Sequence, residues 1–115
     1  MLPKLNRIKK KKDFETIFKN SKSFKTNLFI FRITENSLGL NRFGFVISHK
    51  ISKKAVTRNK IRRRLTEIIK SETKNIKTGT DLVIITLPNI KNKDFPEIKE
   101  AIRNVLVKAK LIVTD

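Results

Sequence analysis

The segment from Lys50 to Lys70 constrains the fold most, because one side of it must be buried while the adjoining side must stay in water. Between Lys50 and Arg64 it holds eight Lys or Arg residues and no acid. On a helix of 100° per residue, four aliphatic residues share a sector about 100° wide, the width of a core-facing stripe: Ile61, Leu65, Ile68 and Ile69. The adjoining sector contains Asn59, Arg62, Arg63, Thr66 and Lys70. The pattern predicts a helix that packs on a core and offers its next side to a polyanion.

The start of this helix is rich in positive charge. Lys53, Lys54 and Arg58 lie where the helix macrodipole is already positive, which costs about 0.3–1 kcal/mol for each cation. No Asp or Glu in the first turns offsets them. Backbone amides and cations at a helix start favour phosphate oxygens. A solvated basic face is the plainer interpretation, but such a face usually mixes charge signs. We therefore predict that Lys50, Lys53 and Lys54 bind a polyanion together with the helix.

The charge of the whole chain is concentrated rather than spread. The net charge is +18 over 115 residues, and residues 1–64 hold 19 of the 28 Lys and Arg but only 3 of the 10 Asp and Glu. This distribution is typical of a nucleic-acid-binding surface. An anionic membrane is the rival partner, but the basic helix lacks the Trp or Phe that would insert at a lipid interface. With no cysteine, no signal-like apolar run and no stretch approaching 18 apolar residues, the sequence predicts a cytoplasmic protein without a membrane partner.

The hydrophobic periodicity predicts a single α+β domain in which helices cover a sheet. Residues 1–12 form a basic arm with Leu5 and Ile8 as its apolar anchors, and residues 13–115 form the domain. The predicted elements are a helix over Phe14–Asn20 with Asp13 as its N-cap, strands over Leu28–Thr34 and Arg42–Ser48 that pair with each other, the basic helix, a central buried strand over Asp81–Leu87, and a helix over Phe95–Lys110. A short extra strand fits near Ser23. Gly44 within a strand indicates a bulge or a close approach by another backbone.

The residues that an independent enzyme needs are not grouped in this sequence. The single histidine, His49, cannot form a metal cluster, the acids are scattered, and the three glycines are isolated. Phosphodiester cleavage by protein groups requires carboxylates that hold metals or a pair of acid–base side chains. We therefore predict no catalytic residue and no metal ligand. Binding is favoured instead, with cations on a phosphate backbone and Phe rings against the bases of a single strand, and with little sequence preference.

Several motifs, in order along the chain, resemble the protein subunit of bacterial ribonuclease P. Residues 55–63, A-V-T-R-N-K-I-R-R, match the R-N-x-x-[KR]-R signature of that family. Asp13-Phe14 followed by Phe18 is similar to its first-helix motif D-F-x-x-[VIL]-F. Residues 42–48, R-F-G-F-V-I-S, are similar to its R-x-G-[LF]-x-[VI]-[SA] strand, and Asp81-Leu82-Val83 to its later buried strand. The resemblance covers nearly the whole chain in order and spacing.

This resemblance implies a fold similar to ribosomal protein S5 domain 2, with a left-handed βαβ crossover through the signature helix. It implies a ribonucleoprotein in which the protein binds the ribonuclease P RNA subunit and the 5′ leader of precursor tRNA, while Mg²⁺ is held mainly by the RNA and the substrate and the protein has no cofactor of its own. DNA is not an expected partner. Carried over by position, the residues near RNA are Arg58, Asn59, Arg62 and Arg63. The leader cleft is lined by Phe14, Phe18, Thr66 and either Phe31 or Arg32.

The chain departs from the family pattern at Thr66, where many relatives have a basic residue whose contact Arg64 or Lys70 would partly replace.

Two alternatives to this function stay open. A ribosomal or ribosome-assembly protein with an S5-like fold would bind structured RNA without preferring tRNA precursors. A self-sufficient nuclease would cleave RNA without an added RNA subunit, which the scattered acids disfavour.

Overall fold

The computed structural model describes Pro3 and residues 6–112, and it has three α-helices and one four-stranded sheet. The elements are α1 (Lys11–Asn20), β1 (Lys22–Lys25), β2 (Phe29–Glu35), β3 (Arg42–Val46), α2 (Ala55–Glu72), β4 (Thr80–Thr86) and α3 (Phe95–Lys108), with short 3₁₀ turns at Thr73–Asn75 and Pro88–Asn92. The α+β class and the predicted element order are confirmed, including the extra strand near Ser23. The predicted anchor Leu5 lies outside the described residues.

The sheet order is β1-β2-β4-β3, so the last strand in sequence occupies an inner position. β4 pairs antiparallel with β2 and parallel with β3, with Val83 opposite both Arg32 and Gly44. The prediction of a central, buried strand over Asp81–Leu87 is confirmed. The predicted pairing of β3 with β2 is wrong. The connection between these strands passes the start of β4, where the Asn36 amide donates to the Gly79 carbonyl at 2.8 Å, and this leaves room for β4 between them.

The two faces of the sheet are covered by different helices. Along β2, Phe29, Phe31 and Ile33 are buried in the main core, which also contains the apolar residues of α2 and α3. The alternate residues of β2 point to the opposite face, as the two-residue period of a strand requires. There α1 contributes Ile17, which forms a smaller buried cluster with Ile8 and Val83. The domain is therefore a sheet between α2 and α3 on one side and α1 on the other.

The first helix begins earlier than predicted. α1 starts at Lys11 with Lys10 at its N-cap position, so Asp13 lies within the first turn and does not cap the helix. The Asp13 carboxylate instead faces Arg42, whose Nη1 lies 3.5 Å away. At the other end of the chain Asp94 caps α3 by accepting from the Glu97 amide at 3.1 Å, with Pro96 in the first turn as predicted.

At Gly44 the side chains of Phe14 and Ile8 pack closely against the sheet. A Cβ atom at this position would lie 2.9 Å from Cε1 of Phe14 and 3.3 Å from Cβ of Ile8. The sequence predicted a bulge or an approaching backbone, but β3 pairs with β4 in regular register here and the closest groups are side chains. Glycine therefore sets how deeply the Phe14 ring can sit against β3.

Candidate RNA-binding cleft

The helix α2 has the two-sided character that its periodicity predicts. Its buried apolar residues are Ile61, Leu65, Ile68 and Ile69, all in the main core. The adjoining side borders a cleft of about 650 Å³. This side contributes Asn59, Arg62, Arg63, Thr66, Glu67 and Lys70. The sector predicted for a polyanion is therefore one wall of a surface cleft, and both Arg62 and Arg63 are exposed.

The floor of this cleft is apolar and partly aromatic. It is formed by β3 and α1, through Phe43, Gly44, Phe45 and Phe14. β3 is an edge strand, and Nη1 of Arg62 reaches the Phe45 carbonyl at 3.4 Å. Residues 7–9 of the N-terminal segment line the same cleft. An apolar floor with a cationic wall suits a single nucleic-acid strand, whose phosphates need cations and whose bases need apolar faces.

The residues predicted to bind RNA at the start of α2 form a separate group. Lys50, Lys53 and Lys54 are exposed in the loop before the helix and do not line the cleft. Arg58 folds back onto this loop, where its Nη1 donates to the Ser52 carbonyl at 2.9 Å and lies 3.2 Å from Nδ1 of His49. Since a guanidinium has no acceptor, the imidazole nitrogen must accept. Arg58 therefore orders the basic loop, while the three lysines face solvent.

The aromatic residues of α1 connect the cleft to a second cation. The Phe14 and Phe18 ring centroids are 6.3 Å apart, and Phe18 is 37% exposed. The Arg32 guanidinium lies over the Phe18 ring, 5.7 Å from its centroid, and its Nη2 donates to the Phe18 carbonyl. This contact combines a cation–π interaction with a bond to the C-terminal end of α1. Phe18 itself lies outside the lining of the 650 Å³ cleft.

The structure separates Phe31 from Arg32, which the sequence left as alternatives for the cleft. Phe31 has 0% exposure and packs in the main core, with its ring centroid 4.9 Å from that of Phe29. Phe31 has no exposed surface and is not among the residues that line the cleft, so including it there was wrong. Arg32 lies on the α1 side of the sheet, beside Phe18, and does not line the 650 Å³ cleft either.

An ion pair that the sequence analysis missed joins β3 to β4, and Asp13 on α1 lies 3.5 Å from the arginine of this pair. Arg42 donates from Nε and Nη2 to Asp81 at 2.9 and 2.7 Å, and Asp81 also accepts from Asn36 Nδ2 at 2.7 Å. The hydrogen bond to Asp81 raises the pKa of the Arg42 guanidinium against the opposing effect of partial burial, and Asp13 raises it further. The only sequence signal was that Arg42 and Asp81 each lie at the start of a strand.

The described residues offer little acid for metal binding or proton transfer. Within the described part of the chain, no three His, Cys, Asp or Glu residues are close enough to hold a metal ion together. Among the described residues, Glu67 is the one acid that lines the cleft, against the cations of Arg7, Lys9, Arg62, Arg63 and Lys70. Among the described helices, none is both long and apolar enough to cross a membrane. The described lining of the cleft is therefore strongly cationic, which suits an anionic strand.

Comparison with known proteins supports the motifs found in the sequence. A family model described as Ribonuclease P matches residues 2–110. The ribonuclease P protein component of Alkaliphilus metalliredigens is 35% identical over 107 residues, which cover 93% of this chain and 96% of that protein. The RNase P protein of Staphylococcus aureus superposes with a TM-score of 0.86 at 30% identity, covering 94% of this chain and 98% of that one. The RNase P protein of Thermotoga maritima gives 0.80 at 31% identity, covering 87% and 94%.

Proposed function

The chain belongs to the ribonuclease P protein component family, and we propose that it serves as the protein subunit of a ribonucleoprotein that removes the 5′ leader from precursor tRNA. The observation that carries this proposal is the cleft itself. It combines a wall of exposed cations from α2 with an aromatic floor from β3 and α1, which matches an unpaired RNA strand rather than a duplex.

Within this function the cleft binds the leader. Arg62 and Arg63 contact leader phosphates, which hold the strand in place without selecting its sequence. Bases lie against the Phe14 ring in the cleft and against the exposed Phe18 ring just outside it, since aromatic rings stack on any base. Arg32 holds the end of α1 so that these rings keep their position. Thr66 lines the same wall and offers a hydroxyl where a cation would bind phosphate more strongly.

The basic loop before α2 contacts a different RNA segment, the ribonuclease P RNA subunit. Lys50, Lys53 and Lys54 lie outside the cleft, and Arg58 orders their loop through Ser52. Since α2 has no acid in its first turn and no side-chain cap, its free amides and these lysines together attract phosphate. One helix thus contacts the leader along its side and the RNA subunit at its start.

The protein contributes binding and orientation, and Mg²⁺ acts on the RNA. When bound by the RNA subunit and substrate, Mg²⁺ supplies a metal-activated water and stabilises the leaving oxygen. The described protein residues fit a supporting role better than a ligand role, because a single carboxylate, Glu67, faces the cleft. We therefore assign no protein group to proton transfer. A ribosomal or ribosome-assembly role for the same fold is the alternative, and it predicts no dependence on a leader.

The test is cleavage of a 5′-labelled precursor tRNA at low Mg²⁺, with bacterial ribonuclease P RNA alone, this protein alone, or both. Cleavage at the mature 5′ end only with both supports the proposal. Cleavage by the protein alone would establish an independent nuclease. Salt-sensitive RNA binding without any stimulation would favour the ribosomal alternative.

A paired variant tests the assignment of the cleft wall. Arg62→Ala with Arg63→Ala removes two exposed side chains, so we expect an unchanged fold and at least a tenfold, or about 1.4 kcal/mol, weaker preference for leader-bearing substrate. Lys99→Ala with Lys108→Ala removes the same charge from α3, outside the cleft. Equal losses in both pairs would mean that net charge, rather than the cleft, determines binding.

A further inference from the structure

The N-terminal segment from Asn6 to Lys9 lies along the outer edge of β3. The Ile8 amide donates to the Phe43 carbonyl at 2.8 Å, and Arg7 forms a parallel bridge with Phe43. Asn6 Nδ2 donates to the Asn41 carbonyl at 2.6 Å. These bonds continue the sheet beyond β3 by a short distance. Although the sequence indicates a basic arm, this part of it is attached to the domain.

Ile8 anchors the segment by its side chain as well. It is 5% exposed and belongs to the cluster of Ile17 and Val83 beneath α1. Its Cβ also lies close to the position that a Gly44 side chain would occupy. The residue is therefore held from two sides, by backbone pairing with β3 and by burial under α1. This anchor keeps the backbone of its neighbours Arg7 and Lys9 close to β3.

Arg7 and Lys9 both line the cleft that α2 also borders. Resting on the proposed function, we propose that these two residues form a second cationic wall that contacts leader phosphates from the side opposite Arg62 and Arg63. The segment brings its charge to the cleft with a backbone that is already ordered, so less conformational entropy is lost on binding than for a free basic arm. Lys11 and Lys12 follow in α1, are exposed, and do not line the cleft.

The experiment uses the holoenzyme reconstituted with bacterial ribonuclease P RNA and measures affinity for leader-bearing precursor tRNA against salt concentration. For Arg7→Gln with Lys9→Gln we expect the log–log slope to become shallower by up to about 1.4, because each single-strand phosphate that is no longer neutralised reduces it by about 0.7. Lys11→Gln with Lys12→Gln is the matched control, with the same loss of charge a few residues away. It should leave the leader-dependent part of the slope unchanged.

A third variant tests whether leader binding depends on where Arg7 and Lys9 are held as well as on their charge. Ile8→Ala keeps every cation but loosens the anchor, and we expect it to weaken leader binding in the same direction while its urea unfolding stays cooperative. Equal slope changes in the two glutamine pairs would overturn the inference in favour of diffuse arm charge. No slope change in Arg7→Gln with Lys9→Gln would also overturn it.

The wild-type holoenzyme distinguishes failure of this inference from failure of the proposed function. Its affinity for precursor tRNA is compared with its affinity for mature tRNA, which has no leader. Equal affinities would overturn both proposals. A clear leader preference that persists in Arg7→Gln with Lys9→Gln would leave the proposed function standing and refute the second wall alone.

Discussion

Gly44→Ala gives a direct test of how the cleft floor is packed. A methyl group on Gly44 would lie 2.9 and 3.0 Å from two carbons of the Phe14 ring and 3.3 Å from Cβ of Ile8, whereas carbon atoms in contact prefer about 3.5–4.0 Å. The Ile8 carbon cannot withdraw easily because its backbone amide is bonded to Phe43. The Phe14 ring must therefore move out of its place against β3.

We expect Gly44→Ala to destabilise the domain, although a strand ordinarily favours alanine over glycine. Within a strand, alanine is ordinarily more favourable than glycine by about 0.5–1 kcal/mol, while an overpacked contact costs about 1–3 kcal/mol. We expect Gly44→Ala to lower the free energy of unfolding by about 1–2 kcal/mol after these opposing effects. With a urea m-value of about 2 kcal/mol/M, the middle of the usual range, the unfolding midpoint falls by about 0.5–1 M.

A double-mutant cycle with Phe14→Ala identifies the cause. With the ring removed, the added methyl group has space, so Gly44→Ala should become neutral or stabilising in that background, a coupling of at least about 1 kcal/mol. Urea unfolding gives the four stabilities, and leader-dependent stimulation of precursor cleavage reports the ring position. If Gly44→Ala raises the midpoint in the wild-type background, the close packing of Phe14 on β3 is refuted.

Three further changes test other contacts. Arg42→Met should lower the free energy of unfolding by about 3 kcal/mol, because it leaves the Asp81 carboxylate, only 5% exposed, without its cation; an unchanged urea midpoint would make this ion pair dispensable. Arg32→Ala should speed amide hydrogen exchange in the last turn of α1 by removing the bond to the Phe18 carbonyl, and equal exchange rates would contradict that role. Thr66→Arg should strengthen precursor binding and steepen its salt dependence by about 0.7; a wild-type slope would place this residue away from RNA phosphates.

The elements of this fold were predictable where one local pattern decides them. α2 carries its apolar stripe and its basic side in a single helical period, and both were found where expected. The run in β4 is apolar at successive positions, which only an inner strand can bury. The partner of β3 was not predictable in this way. Consecutive strands usually pair, and no local pattern in residues 36–41 indicates that β4 lies between β2 and β3.

The candidate site was predictable along α2 and less so elsewhere. Phe31 and Arg32 are adjacent in a strand, so a shift of one residue in alignment exchanges the core face for the α1 face. Burial excludes Phe31 from the cleft, which the sequence could not do. The contribution of Arg7 and Lys9 depends on Ile8 docking against β3, more than 30 residues away in the chain. The ion pair of Arg42 with Asp81 likewise joins residues that only the folded sheet brings together.

The inner position of β4 has a consequence for the order in which the chain folds during synthesis. Until β4 has been made, β3 has only the short N-terminal segment beside it among the described residues, and β2 lacks one of its two neighbouring strands. The ribosome therefore releases residues 1–64, which carry 19 of the 28 cations, before β4 is available to complete the sheet. Pairing between strands that are distant in the sequence is also slow to form. We expect a fragment ending at Thr78 to leave the β3 amides open to hydrogen exchange, and protection there would contradict this order. Until its last third emerges, the nascent protein is an incompletely folded polycation that is exposed to cellular RNA.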